Sequence, residues 1–144
     1  MSGEEERRMA ESCAQLMSAS DKTLQRFGMT VDAIGPGTAR LSMEFDETAV
    51  NGFGMAHGGL IFLLADSAFA YACNSRNHMA VGQFCTIAFI KAGLNRGRYT
   101  ATAEERSLTG RSGIYDVAVR DADHQLIAEF RGHSRLIEGT HFPQ

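Results

Sequence analysis

The sequence predicts one α+β domain, in which a curved antiparallel sheet of about six strands wraps around a single long helix. Two observations predict it. A proline-free stretch at 57–75, rich in Ala and Leu, is apolar nearly all round, as in a helix covered on most sides. Beside it lie about six short runs of β-branched and aromatic residues, separated by turn-forming residues. A chain of 144 residues has room for one core of this kind.

The elements follow one another along the chain without repeats or a linker. Apolar residues at helical spacing predict an amphipathic helix over 4–18. The runs 29–34 and 38–45 flank Gly35-Pro36-Gly37, which predicts a hairpin. Four more strands, joined by short turns that indicate an antiparallel meander, are predicted at 81–90, 98–107, 113–121 and 126–137. We therefore divide the chain into a lead-in at 1–27, a main domain at 28–138 and a tail at 139–144.

Composition excludes several classes of function. The net charge of −3 has the wrong sign for a protein that binds phosphate backbones, so we expect no nucleic-acid partner. The first ten residues lack the apolar segment of a secretory signal, and the apolar stretch 60–73 is too short to cross a bilayer. Three cysteines without a C-x-x-C pair fit a reducing, cytoplasmic compartment. Five histidines without metal-ligand spacing predict no metal.

Asp66 is the residue that departs from the pattern around it. A carboxylate in the middle of an apolar helix costs several kcal/mol unless it is paired or protonated, and no cation lies between His57 and Arg76. One interpretation is a core aspartate that bonds to another element. The other is a group in a cleft that activates water or acts as a nucleophile.

The start of the same helix carries a second feature. His57-Gly58-Gly59 leaves free N–H groups at the positive end of the helix dipole, where a developing oxyanion is stabilised, although such glycines also serve close packing and His57 also suits a cap. Gly58 and Asp66 lie about 12 Å apart along the helix axis, too far to touch one reacting carbonyl. Two antiparallel helices related by a two-fold axis would bring them together, so a catalytic Asp66 that uses this oxyanion hole predicts an obligate dimer.

These residues, taken together, form a recognisable pattern. The stretch 50–59, VNGFGMAHGG, followed by Leu64-Ala65-Asp66 and by 68–75, closely resembles the hotdog-fold acyl-CoA thioesterases of the phenylacetate-degradation (PaaI) type. The resemblance continues through Cys85-Thr86-Ile87 and 113–117 to 130–132, and covers about residues 28–137.

The resemblance implies a hotdog fold, hydrolysis of acyl-CoA thioesters and a role for each motif residue. Asp66 corresponds to the catalytic carboxylate, and Gly58 to the residue whose N–H polarises the thioester carbonyl from the neighbouring subunit. Asn51 corresponds to the amide that places the substrate or the lytic water, and His57 belongs to the motif with a role that includes holding the loop. The resemblance also implies a dimer of dimers, with coenzyme A as part of the substrate and no further cofactor.

Substrate contacts are predicted from position on the helix and from charge. Gly59, Phe62, Phe69 and Ala70 are assigned to substrate binding, because the last three lie at −4, +3 and +4 from Asp66 and share its face; ordinary core packing is the alternative. An aromatic wall and the resemblance both favour phenylacetyl or hydroxyphenylacetyl esters over long chains, with short or medium aliphatic esters as the alternative. For the coenzyme A phosphates the candidates are Lys91, Arg96, Arg98 and Arg111, with Arg111-Ser112-Gly113 favoured.

Two other functions on the same scaffold stay open at this point. One is the hydration or dehydration of an enoyl thioester, which in hotdog enzymes uses a paired His and acidic residue, whereas His57 and Asp66 lie on roughly opposite faces of one helix. The other is a non-catalytic acyl-CoA binding module, against which the carboxylate of Asp66 argues.

Overall fold

The computed structural model describes residues 1–143, and in them one six-stranded antiparallel sheet lies against a long helix. The helices are α1 (Gly3–Ser20), α2 (Lys22–Arg26) and α3 (Gly58–Cys73), with a 3₁₀ turn at Glu47–Ala49. The strands are β1 (Thr30–Gly35), β2 (Thr38–Phe45), β3 (Ala80–Phe89), β4 (Gly97–Thr109), β5 (Ser112–Arg120) and β6 (Leu126–Leu136). The predicted number of strands, the hairpin and both long helices are confirmed.

The strand order corrects one expectation. The order is β1-β2-β4-β5-β6-β3, so β4, β5 and β6 form a meander but β3 does not join it on the β4 side. Instead β3 pairs with β6 at one edge of the sheet, and β2 takes the place beside β4. The connection at 90–96 must cross three inter-strand spacings, about 14 Å, which seven residues span easily. A short connection therefore did not require neighbouring strands.

The helix α3 packs on the inner face of the sheet through small side chains. Ala65, Ala68 and Ala72 are fully buried, and so are Ala101 and Ala103 of β4. Side chains of this size let the helix axis approach the strands closely, while larger residues of β2, β5 and β6 fill the flanks. The alternating burial of β5 places every second residue in this core.

The sheet covers most sides of α3, as predicted, and leaves one face open. The members of this face are half-exposed and recur at helical spacing, and they include Phe62, Leu63, Asp66, Ser67 and Ala70. The sheet encloses the rest of the helix but leaves this face open beside β3. The adjoining edge strand β3 and the residue after it also expose large apolar side chains, namely Val81, Phe84, Phe89 and Ile90.

The lead-in and the tail are both attached to the main domain. Ser2 caps α1, which buries Cys13 and packs against β1. The short helix α2 was not predicted, and its N-terminus is capped by Asp21. The same carboxylate accepts a hydrogen bond from the Tyr71 hydroxyl of α3 at 3.1 Å. At the other end, the fully buried Asn77 accepts hydrogen bonds from the backbone N–H groups of 141 and 142. None of the helices within 1–143 is both long enough and apolar enough to span a membrane.

Candidate active site

The N-terminus of α3 presents one free backbone donor. His57 is the N-cap: its Nδ1 accepts a hydrogen bond from the Gly59 N–H at 2.9 Å, and its carbonyl accepts from Leu60 and Ile61. Within the described part of the chain, the Gly58 N–H has no acceptor. The cap therefore satisfies the first-turn donors around Gly58 and leaves its N–H available at the positive end of the helix dipole. This geometry makes His57 the helix cap, one of the roles that its position in the sequence predicts.

Gly58 lies under an aromatic ring. A Cβ added at this position would approach Phe89 Cζ to 3.3 Å, so the ring of Phe89 packs directly against the Gly58 Cα. Phe89 is 53% exposed and stands at the end of an edge strand. The ring therefore lies next to the residue that carries the free donor.

Asn51 shapes the loop that leads to the helix. Its side-chain oxygen accepts hydrogen bonds from the N–H groups of Phe53 at 2.9 Å and Met55 at 3.1 Å. These bonds occupy the oxygen, while the amide nitrogen has no partner within residues 1–143. Asn51 thus holds its own loop and keeps two N–H donors for another group.

The carboxylate of Asp66 is half-buried and unpaired. No hydrogen bond or ion pair to it occurs among the described residues, and partial burial raises its pKa above the ordinary value. Two neighbouring thiols have raised pKa values as well: burial is the main cause for Cys73, to about 12, and for Cys85, with the negative charge of Asp66 as a further cause in both. A carboxylate held this way is a stronger base than one in water.

A cavity of about 290 Å³ opens beside this carboxylate, between α3 and β3. It is lined by Phe62, Asp66 and Phe69 from the helix and by Gly82, Gln83, Phe84 and Cys85 from the strand. The structure brings together the predicted Phe62, Asp66 and Phe69, while Ala70 and Gly59 are absent from this lining. The contribution of β3 was missed, because nothing in the sequence indicates which strand lies beside Asp66.

The predicted phosphate-binding hairpin lies at the other end of the sheet. Arg111 is exposed and donates to the Leu136 carbonyl at 3.2 Å. Ser112 pairs with Arg135, and a Cβ at Gly113 would clash with Ser134 Oγ at 2.6 Å, so this glycine serves strand packing. Leu136 pairs with Ala80, at the end of β3 that adjoins the C-terminus of α3. The hairpin therefore lies far from Gly58 of its own chain.

The other candidate cations differ in how they are engaged. Lys91 donates to the Gln125 side chain at 2.9 Å, and Arg98 donates to Ser42 and Thr30. Arg96 lines a second cavity, of about 470 Å³, that adjoins the loop at 50–54. Among residues 1–143 no group of three or more His, Cys, Asp or Glu side chains is arranged to hold a metal ion.

The chain is similar to known proteins over most of its length. Residues 53–128 match the family described as the thioesterase superfamily. The chain is 37% identical over 127 residues to the acyl-coenzyme A thioesterase PaaI of Escherichia coli K12, covering 88% of this chain and 91% of that one. It is 30% identical over 124 residues to a putative esterase of Archaeoglobus fulgidus, covering 86% and 80%. The solved structure of the E. coli PaaI protein from the phenylacetic acid degradation operon superimposes with a TM-score of 0.89 at 36% identity, covering 92% of this chain and 96% of that one.

Proposed function

Because this chain belongs to the thioesterase superfamily, we propose that it hydrolyses acyl-CoA thioesters to a free acid and coenzyme A. We further propose aromatic acyl groups of the phenylacetyl or hydroxyphenylacetyl type as its preferred substrates. The observation that carries the proposal is the pair of unsatisfied groups on α3: the free N–H of Gly58 and the unpaired carboxylate of Asp66. One suits an oxyanion and the other suits a base or a nucleophile.

The bond-making and bond-breaking steps are assigned to these two groups and water, and Asn51 is proposed to place the substrate or the lytic water. The thioester carbonyl oxygen accepts the Gly58 N–H, which stabilises the negative charge that develops as the carbonyl carbon is attacked. In one route Asp66 removes a proton from water, and the water oxygen adds to the carbonyl carbon. In the other route the Asp66 carboxylate adds first, and water then hydrolyses the anhydride. In both, the carbon–sulfur bond breaks and the sulfur leaves as a thiolate that takes up a proton.

The site is proposed to contain residues of two chains. Gly58 and Asp66 are separated by about 12 Å along one helix, and a single carbonyl cannot reach both. The open face of α3 and the edge of β3 lie side by side and expose apolar residues that include Phe84 and Phe89. A long apolar edge strand of this kind is normally covered. A second copy related by a two-fold axis would cover it and would place Asp66 of one protomer beside Gly58 of the other.

A mixture of two inactive variants tests the shared site. We expect Asp66→Asn and Gly58→Pro, each inactive alone, to regain about a quarter of the parent activity when co-expressed at equal levels. Half of the dimers formed are mixed, and each mixed dimer contains one intact pair of Gly58 and Asp66. In the control, Asp66→Asn is co-expressed with the double variant Asp66→Asn/Gly58→Pro. None of the dimers formed in this mixture contains an intact Gly58 and Asp66 together. Equal activity in both mixtures would contradict the shared site.

Release of free thiol from phenylacetyl-CoA tests the reaction itself. We expect saturable release of one thiol per ester consumed, with a kcat/KM within the usual enzymatic range of about 10⁴ M⁻¹s⁻¹ or more. The two rival functions give different signals. A hydratase would remove the conjugated absorbance of an enoyl-CoA without releasing thiol, and a binding module would bind acyl-CoA without turnover. Either result across aromatic and aliphatic esters would refute hydrolysis.

The same two-fold arrangement supports a role for the Arg111 hairpin in binding the coenzyme A phosphates. The hairpin lies towards the C-terminal end of α3, and in an antiparallel pair this end of one protomer extends beyond Gly58 of the other. We therefore propose that Arg111, Ser112 and Gly113 of one protomer contact the phosphates of the coenzyme A ester bound at Gly58 of the other. We also propose that two such dimers associate into a tetramer. A cytoplasmic location is proposed as well, and the three free thiols support it.

A further inference from the structure

We infer that Phe69 forms the floor of the acyl cavity and sets the length of acyl group that the site accepts, an inference that rests on the proposed thioesterase function. Phe69 is the one cavity-lining side chain of α3 that is almost fully buried, at 2% exposure. It therefore belongs to the cavity wall and to the protein core at once. Its ring separates the space beside Asp66 from the core behind it.

Two glycines on neighbouring strands make room for this ring. A Cβ at Gly132 of β6 would lie 2.7 Å from the ring carbons of Phe69, and one at Gly82 of β3 would lie 3.1 Å from Cε2. The ring thus occupies volume that side chains at both positions would need. Neither glycine has a positive φ, so backbone conformation does not explain their presence, whereas contact with Phe69 does.

The ring is also fixed from behind. Its centroid lies 5.7 Å from that of Tyr115 in an edge arrangement and 5.8 Å from that of Phe130 in a tilted one. Both neighbours are buried, and Tyr115 is itself held by a hydrogen bond from its hydroxyl to Glu105 at 3.0 Å. Phe69 therefore cannot swing aside to admit a longer ligand without disturbing the core.

The position of this floor limits the substrate. Phe69 follows Asp66 by three residues, a rise of about 4.5 Å along the helix axis, and it lies on the same helix face. A carbonyl carbon beside Asp66 then has space for one compact group before it reaches the ring. A flat aromatic group fills such a short cavity with few ordered torsions, whereas a long linear chain meets Phe69.

Acyl-chain selectivity tests the inference. In the full-length protein we expect Phe69→Ala to raise the ratio of kcat/KM for decanoyl-CoA to kcat/KM for phenylacetyl-CoA by about tenfold or more, because the cavity gains the volume of the ring. Phe69→Leu, which keeps more of the core packing, should shift the ratio in the same direction by less. Gly82→Ala should make the cavity smaller, because its added methyl group pushes on the ring of Phe69. It should therefore lower kcat/KM for phenylacetyl-CoA relative to kcat/KM for acetyl-CoA.

The controls separate this inference from the function on which it rests. Leu41→Ala removes a fully buried side chain of β2 that does not line the cavity, so it reproduces the loss of packing and should leave the ratio unchanged. Circular dichroism and thermal melting identify the variants that fold. If the parent hydrolyses no acyl-CoA, the proposed function fails. If the parent is active and the folded Phe69 and Gly82 variants keep its acyl preference, the floor is elsewhere and this inference is wrong.

Discussion

Asp66→Asn is expected to lower kcat by about 10²-fold or more while the protein stays folded. The amide has nearly the shape of the carboxylate, but it neither removes a proton from water nor attacks the carbonyl. The measurement is steady-state thiol release from phenylacetyl-CoA, together with the acyl-CoA dissociation constant. Binding should persist, because the free N–H of Gly58 and the cavity remain. Turnover within a few-fold of the parent would remove Asp66 from the mechanism.

The same substitution has an expected effect on stability that a structural aspartate would not show. Burial raises the pKa of Asp66, so the native state binds this proton more tightly than the unfolded state does. Ionisation therefore destabilises the fold at pH values above that raised pKa, and protonation at lower pH removes the cost. At pH 7 we expect Asp66→Asn to melt at the parent temperature or above it. Asp21→Asn is the matched comparison, because Asp21 caps α2 and binds Tyr71, and it should melt lower.

Gly58→Pro is expected to lower kcat by about 10²- to 10³-fold, the usual effect of removing one oxyanion donor. Proline removes the N–H, and the first helical position tolerates its ring. The preceding His57 already has the extended conformation, φ −70 and ψ 124, that proline requires of its neighbour. Circular dichroism should therefore show an intact helix, and thiol-release kinetics should show the loss.

Gly58→Ala is the control for that prediction. It places a Cβ at the same point, 3.3 Å from the Phe89 ring, but keeps the N–H. Phe89 stands half-exposed on an edge strand, so its ring has room to move by the few tenths of an ångström required. We expect alanine to retain most of the activity. If alanine and proline are equally damaging, the contact with Phe89 matters and the donor does not.

Local sequence signals predicted those parts of the molecule that depend on nearby residues. The long apolar helix with Asp66 in it, the hairpin around Gly35-Pro36-Gly37 and the cap at His57 all follow from spacing and residue type. Asp66 stood out because an unpaired charge in an apolar stretch is costly wherever the stretch folds.

Those parts of the fold and of the candidate site that were not predicted depend on contacts between distant segments of the chain. The lining of the cavity by 82–85 follows from β3 lying beside α3, and no local signal indicates which edge of the sheet that strand occupies. The need for glycine at 82 and 132 also follows from β3 and β6 lying beside α3, because the ring of Phe69 leaves little room for a Cβ at either position. The short helix α2 was missed since its five residues lack a periodic pattern, although Asp21 followed by Leu24 is consistent with an N-cap.

The pairing of β3 with β6 has a consequence for how the chain folds. Within the described residues β3 has one strand partner, and that partner is the last strand of the domain. During synthesis β1, β2 and α3 are made before β3, but the strand that pairs with β3 is made only after β4 and β5. Closing so long a loop is slow, and an apolar strand left unpaired in the meantime is prone to aggregate. The cavity wall beside Asp66 therefore depends on the last strand of the domain, and a chain that ends before β6 lacks the strand that pairs with β3.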